Sequence, residues 1–480
     1  MISLQEFLDN LKEKKVVIWG LGLNQGGLEA AKFFLKRIKA KVVVIDLKDE
    51  KRLRASVQEI KKYKNVKFIF GRQEEKDFSG AALIIKNHAI PWEAPLTQKL
   101  LQDGFQIETD VTLFFKFFKG KIVGITGSKG KTTTTTLVYR FLRAGGKDVF
   151  LGGNVRISLF SFFKKKFLED RKKIAVFELS SFQLEDLAFV GRSPFVSVIT
   201  NVLRDHLNRY GTMKNYIKTK KFISLFQKKS DYLILNREDK NSKEFEKGNK
   251  AHKIYFSSNP RNILDAEGVF FKRKSSVFWV NKEGKKELGK TKNPFFDHPH
   301  NLQSLAIALV VAGRIFKIKK KVLQKEADNF RGVPYRMEKI RVINGVTFYN
   351  DTTATIPEAT IGNLKTFKNK VILISGGSDK NLKFQKFGRI VAQKVKKVVL
   401  LPGNITSVIK EEIKKNSPQV PCKEVKNMRE AVNEAYKGTE KGDVVLLSPG
   451  CTSFGLFENE FDRGDQFNRE VRNLGGKRAG

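Results

Sequence analysis

The sequence predicts an α/β protein of three domains, each built on a mainly parallel sheet. Two glycine-rich turns carry the prediction, because each lies between an apolar strand-like run and a helix-compatible stretch. The first runs from Gly20 to Gly27 after Val16-Val17-Ile18-Trp19, and the second from Gly124 to Thr133 after Ile122-Val123. Length agrees, since 480 residues correspond to about three domains at ~150 residues each.

The elements follow in order. Residues 15–20 read as a buried strand, Leu28 to about Ile38 as a helix, and Val42 to Asp46 as a second strand ending in an acid. Strand, glycine turn, helix, strand and Asp make a Rossmann-like βαβ unit. The G-x-G-x-x-G spacing fails by one residue at Gln25, so the turn is weak support for NAD and better support for a nucleotide-like group. A packing turn is the plain alternative. A second α/β region has strand-like residues at Ile122-Val123 and strands near 174–178, 196–201 and 232–236, and a small β excursion over 240–292. Asn301 to Phe316 reads as a helix. A third region has strands at 346–350, 371–374, 397–401 and 444–447. The domain boundaries expected are 1–117, 118–332 and 333–480.

Gly124-Ile125-Thr126-Gly127-Ser128-Lys129-Gly130-Lys131-Thr132-Thr133 is laid out as a phosphate cradle, with an irregular glycine spacing. Backbone N–H groups freed by glycines face phosphate oxygens, and the helix N-terminus adds its positive dipole. In such a loop Lys131 reaches the β/γ-phosphates and the Thr132 hydroxyl sits on Mg²⁺. ATP or GTP is the ligand expected.

Formal charge is +42, from 92 Lys and Arg against 50 Asp and Glu. The lysines are spread along the chain, which favours a solvated basic surface over a nucleic-acid stripe. Forty phenylalanines accompany them without a periodic motif. Cys422 and Cys451 give neither a disulfide framework nor a zinc pattern, so a cytoplasmic location is expected. No apolar run approaches ~18 residues, and the N-terminus lacks a signal-peptide layout, so no membrane span is expected.

Polar groups gather at the predicted strand ends, where open parallel sheets bind ligands. Glu178, after a buried run, suits Mg²⁺, although a helix-capping acid is the plain alternative. His206 stands beside Asp205, and a surface histidine is its alternative. Asn350-Asp351-Thr352 suits ribose binding or a simple turn. Cys451 has no neighbouring His and reads as a buried thiol.

Together these residues resemble the Mur ligase family, over nearly the whole chain. Thr126 to Thr133 resembles its ATP loop, with the same odd glycine spacing. Glu178-Leu179-Ser180-Ser181-Phe182-Gln183-Leu184 resembles its metal-binding strand end, and Asn201 to Tyr210 its Asn-x-x-x-Asp-His segment. Leu447 to Phe454, followed by Arg463-Gly464-Asp465-x-Phe467, resembles the ending of its D-glutamate-adding branch. The resemblance implies ATP-dependent amide ligation in peptidoglycan precursor synthesis, with ATP, UDP-MurNAc-L-Ala and D-glutamate as substrates.

It also implies site residues. Lys131, His206 and Lys220 would be catalytic. Gly127, Ser128, Lys129, Gly130, Lys131, Thr132, Thr133, Asn301, Arg336 and Asp351 would bind ATP. Thr132, Glu178, His206 and a carbamylated Lys220 would hold two Mg²⁺ ions. Leu23, Asn24, Asp46, Lys48 and Asn154 would bind the UDP substrate. Thr355, Lys380, Ser453 and Phe454 would bind the amino acid. A monomer without nucleic-acid partners is expected.

Departures from the family pattern fall at Ser304, Tyr335, Thr353, Lys86-Asn87-His88-Ala89 (in place of Ser-Pro-Gly) and Glu460-Phe461. They bear on substrate selectivity. The alternatives are another amino-acid-adding Mur ligase, a folylpolyglutamate synthase-like ligase and, remotely, a basic nucleic-acid-binding P-loop protein.

Overall fold

The computed structural model describes residues 3–22, 26–154, 158–272, 276–378, 383–453 and 456–474. The chain divides into two compact units, 1–330 and 331–480.

The first unit holds two sheets. One comprises β1 (Lys15–Trp19), β2 (Lys41–Asp46), β3 (Val66–Phe70), β4 (Leu83–Lys86) and β5 (Ile107–Glu108), in the order β3-β2-β1-β4-β5 and all parallel. The second comprises β6 (Lys121–Thr126), β7 (Val149–Gly153), β8 (Ile174–Glu178), β9 (Val196–Ile199), β10 (Tyr232–Asn236), β11 (His252–Ser257), β12 (Gly268–Lys272), β13 (Ser276–Asn281) and β14 (Gly284–Lys290). Its order is β14-β13-β12-β11-β10-β9-β6-β8-β7. It is parallel except for β12-β13-β14, which forms the expected β excursion. Strand order reverses at β1/β4 in the first sheet and around β6 in the second, and ligands bind at such switch points. Both expected glycine turns therefore open into crevices.

The second unit has one sheet: β15 (Glu338–Ile343), β16 (Val346–Asn350), β17 (Val371–Ser375), β18 (Val395–Leu400), β19 (Cys422–Glu424) and β20 (Val444–Leu447). Its order is β15-β16-β20-β17-β18-β19, with only β15 antiparallel to its neighbour. Valine, isoleucine and leucine make up β20 and β17 as far as its terminal Ser375, and Ile174-Ala175-Val176-Phe177 make up β8 as far as Glu178, the near-continuous apolar runs of strands covered on both faces.

Helix lengths follow the reading with one difference. The stretches expected as helices to Ile38 and Phe316 end in π turns, Phe34–Ile38 and Val310–Ile315.

One continuous core runs through both sheets of the first unit. Phenylalanines join it: Phe33 meets Phe160 at 5.3 Å between ring centroids, Phe114 meets Phe177 at 5.0 Å and Phe118 meets Phe150 at 5.7 Å. Much of the phenylalanine excess thus has a structural use, since large rings contribute the most buried apolar area per residue. No helix among the described residues is long and apolar enough to cross a membrane.

Candidate active site

The phosphate loop leaves β6 and enters the helix Lys131–Ala144. Gly127 has φ +151°, and a Cβ there would meet Thr200 Oγ1. Gly130 has φ +81° and caps the helix. Both positions need glycine, the first for space and the second for its left-handed backbone. The segment after β9 braces the loop. Lys129 N donates to Asn201 Oδ1 at 2.9 Å, Thr200 Oγ1 donates to Lys129 O at 2.6 Å, and Leu203 N donates to Ser128 Oγ at 2.9 Å. Lys131 Nζ is turned back onto its own loop, donating to Gly127 O at 2.9 Å and Ser128 O at 3.3 Å. Those carbonyls hold the ammonium within the phosphate cradle.

Glu178 ends β8 beside the loop, in register with Ile125 of β6. Its side chain is buried. Oε1 accepts from Asn154 Nδ2 at 3.0 Å, whereas Oε2 is buried with no hydrogen-bond partner. A buried carboxylate oxygen left unsatisfied is costly, and a hard divalent cation would satisfy it. The donor set therefore fits Mg²⁺, with Thr132 on the same loop.

Lys220 is almost fully buried on the helix Met213–Lys221. Its Nζ donates to Thr126 Oγ1 at 3.2 Å and lies 4.8 Å from the Tyr216 ring centroid. Burial lowers its pKa to about 7, helped by Lys131 and opposed by Asp205. His206 caps the short helix Leu207–Tyr210 with φ 52°. Desolvation lowers its pKa, Lys220, Lys131 and Arg209 add to that, and Asp205 opposes it. A neutral imidazole is the state that binds metals. The structure thus brings Lys131, Glu178, His206, Lys220 and Asn154 to one end of the second sheet.

Asn301 Nδ2 donates to Phe295 O at 2.8 Å. Ser304 is buried, bonded to Thr134 Oγ1 at 3.1 Å and His300 O at 3.1 Å, so it ties its helix to the one that follows the phosphate loop.

Asp46 and Lys48 lie apart from these, at the first sheet's crevice. Asp46 accepts from Gly22 N at 3.0 Å and from Lys48 N at 2.9 Å, fixing the glycine turn to the end of β2. Leu23 and Asn24 lie outside the described residues.

In the second unit, Asp351 is buried under a full set of donors: Met337 N at 3.2 Å, Asn363 Nδ2 at 2.5 Å and Ser448 Oγ at 2.7 Å. Burial raises its pKa to about 6 against those bonds. Arg336 lies close enough to lower it. Gly450 N donates to Ala354 O at 2.9 Å, which places Thr355 and Ser453 at the same sheet end. Arg463 is wholly buried, with Nε on Thr352 Oγ1 at 3.0 Å and Nη2 on Thr352 O at 2.9 Å. Cys451 is buried as expected. Lys380 and Phe454 lie outside the described residues.

Sequence reasoning missed three polar groups that shape the first unit: Asp186, the Arg209–Glu185 pair and the bonding of His88. The usable signal was a histidine, one of only five, just after the apolar run Leu83-Ile84-Ile85.

Comparison with known proteins agrees with this geometry. Residues 125–312 match the Mur ligase middle domain, and 335–451 match the Mur ligase glutamate ligase domain. The UDP-N-acetylmuramoylalanine--D-glutamate ligase of Acetivibrio thermocellus is 34% identical over 98% of this chain and 99% of its own. The chain belongs to the Mur ligase family. It is an ATP-dependent Mur amino-acid ligase. Proteins with that same ligase name from Roseiflexus sp. and Borreliella burgdorferi are each 35% identical, over 97% and 98% of this chain and 99% and 100% of theirs. Among solved Mur ligase folds, a UDP-N-acetylmuramate-alanine ligase from Thermotoga maritima aligns with a TM-score of 0.59 at 18% identity, covering 96% of this chain and all of that one. A pseudomurein peptide ligase type C from Methanothermus fervidus aligns with a TM-score of 0.53 at 18% identity, over 96% of this chain and all of that one.

Proposed function

We propose that this Mur ligase joins D-glutamate to UDP-N-acetylmuramoyl-L-alanine with hydrolysis of ATP to ADP and phosphate, in peptidoglycan precursor synthesis. The unsatisfied Glu178 Oε2 beside a phosphate loop carries the reaction class, and the full-length likeness to D-glutamate ligases supports the amino acid.

The alanyl carboxylate attacks the γ-phosphorus of ATP, the bond to the β,γ-bridging oxygen breaks, and ADP leaves. The D-glutamate amine then attacks the acyl phosphate, loses a proton, and phosphate departs from the tetrahedral intermediate. Such transfers depend on positioning and charge neutralisation. Lys131 swings from its loop carbonyls to the γ-phosphoryl oxygens. The N–H groups of Ser128 to Thr133 hold the remaining phosphates. Thr132 and Glu178 would hold one Mg²⁺, and His206 and Lys220 a second; bound there, the cations neutralise phosphate charge. Burial favours the neutral Lys220 amine, the form that adds CO₂ to give an anionic carbamate. Asp46, Lys48 and Asn154 serve the UDP substrate, with Leu23 and Asn24 from the sequence reading. Arg336, Asp351 and Asn301 serve ATP, and Thr355 and Ser453 serve the amino acid with Lys380 and Phe454. The functional domains remain 1–117, 118–332 and 333–480, and the chain works as a cytoplasmic monomer.

Phosphate release, assayed with ATP, UDP-MurNAc-L-Ala and a panel of amino acids, tests the substrate. D-glutamate is expected to stimulate release. Stimulation by a different amino acid and not by D-glutamate would overturn the proposal.

A further inference from the structure

The segment Asn87–Trp92 follows β4 and forms one wall of the crevice at the first sheet's switch point. Asn87 lies across the glycine turn: its Nδ2 donates to Gly20 O at 3.3 Å, and a Cβ on Gly20 would come within 2.8 Å of Asn87 Cβ. The next residue, His88, ties this wall to the other sheet. Its Nδ1 is 2.7 Å from Asp186 Oδ2, and its Nε2 is 2.7 Å from Asp110 Oδ1. Asp110 opens the helix Asp110–Phe117, while Asp186 lies on the helix Ser181–Leu187 that follows Glu178.

Asp186 is completely buried and gathers more of the same wall. Trp92 Nε1 donates to it at 2.8 Å, and Thr109 Oγ1 at 3.0 Å. Arg209 grips the wall from the helix that His206 caps. Its Nη1 donates to Ala89 O at 3.0 Å and its Nη2 to His88 O at 3.4 Å, while Nε and Nη2 bracket Glu185 at 3.0 and 2.6 Å. Trp92 stacks on Phe189 at 3.9 Å.

A ring with a carboxylate on each nitrogen must donate twice, which only the imidazolium does. Burial alone would lower the His88 pKa, but Asp186 and Asp110 outweigh it and raise it to about 10. The other charges around this wall are Lys86, Glu93, Glu185 and Arg209. Lys86 Nζ donates to Ile90 O at 2.8 Å and lies 4.3 Å from the Trp92 ring centroid.

We propose that His88 is a positioning residue for the nucleotide-sugar substrate: held between Asp110 and Asp186, it fixes the crevice wall Asn87–Pro91 to the helix after Glu178. The crevice that binds the sugar nucleotide is thereby kept in register with the phosphate loop. The inference rests on the reading that the β1/β4 crevice receives the UDP group.

Calorimetric binding of UDP-MurNAc-L-Ala and steady-state kinetics of the full chain test it, using His88→Gln, Asp186→Asn and, as a control for the crevice, Asp46→Ala. Losing a charge-assisted bond at this wall should weaken UDP-MurNAc-L-Ala binding about tenfold in both clasp variants. The KM for ATP and kcat should stay within about twofold, as a KM effect confined to uniform binding requires. Wild-type affinity should be flat from about pH 5 to about pH 7, because the His88 imidazolium, raised to about 10, and the Lys86 ammonium, lowered by burial to about 8, both persist there. Unchanged affinity in both clasp variants while Asp46→Ala weakens it would overturn the clasp and leave the crevice assignment standing. Unchanged affinity in all three would overturn the crevice assignment and the clasp with it. A fall in kcat and in both KM-derived affinities together would reduce His88 to a folding residue and also overturn the proposal.

Discussion

The two crevices of the first unit are built alike and stabilised differently. Each has a glycine turn leaving a central strand at a switch point. The turn after β1 is held by side chains of its own sheet, Asp46 on Gly22 N and Asn87 on Gly20 O. The turn after β6 is held by Thr200, Asn201 and Leu203 from the neighbouring strand's exit. Their charges differ more. The second crevice gathers Lys131, Lys220, His206 and the Glu178 carboxylate, one of whose oxygens is buried with no hydrogen-bond partner. In the first crevice the carboxylate already has its donors. The crevice proposed for phosphoryl transfer thus keeps an unsatisfied carboxylate oxygen, and the one proposed for the UDP group does not.

Substitutions that separate the crevices test this contrast. Lys131→Ala should have the largest effect, reducing ligation by about 10³-fold or more while leaving UDP-MurNAc-L-Ala binding within about twofold. Equal loss of both would show that the crevices are not independent. Glu178→Gln comes next, with about a hundredfold loss in kcat and a higher Mg²⁺ requirement, read from Mg²⁺ titrations of activity.

Lys220 gives a pH-dependent test. Its amine is protonated below about pH 7 and neutral above, and only the neutral form adds CO₂. Activity in CO₂-depleted buffer should therefore fall as pH drops through about 7 and recover with bicarbonate. Lys220→Arg should remove the bicarbonate response altogether, and a response that survives would remove the carbamate from the scheme. Asp46→Ala should raise the KM for UDP-MurNAc-L-Ala about tenfold with little change in kcat, as loss of a charge-assisted anchor predicts. Smallest of all, Ser304→Ala should cost about 1 kcal/mol of stability, measured by denaturant unfolding, with activity nearly unchanged.

The sequence made the strands that flank the chemistry legible because they are covered on both faces and read as unbroken apolar runs. Strand β15 escaped notice because Lys339 and Arg341 lie on an exposed edge and break such a run. Strand β7 ends in Gly152-Gly153 and gave a weak pattern. Phosphate-loop residues and the proposed metal ligands Thr132, Glu178 and His206 were legible because they sit in short local motifs. The His88–Asp186 bond was not, since 98 residues separate its partners. Nothing local to His88 announces a carboxylate that arrives from another sheet. Asp351 was legible in a local Asn-Asp-Thr pattern, but the donors that hold it come from Met337, Asn363 and Ser448, which no local pattern could assemble.

The phenylalanine seam between the first two sheets has a consequence for how the chain comes apart. Severing it near residue 117 would strip Phe114 and Phe115 from Phe150 and Phe177 and leave an oily face on each fragment. The first sheet is thus not a detachable module. It should melt with the second sheet in one cooperative transition, and a transplant of either between relatives would have to carry the matching aromatic face.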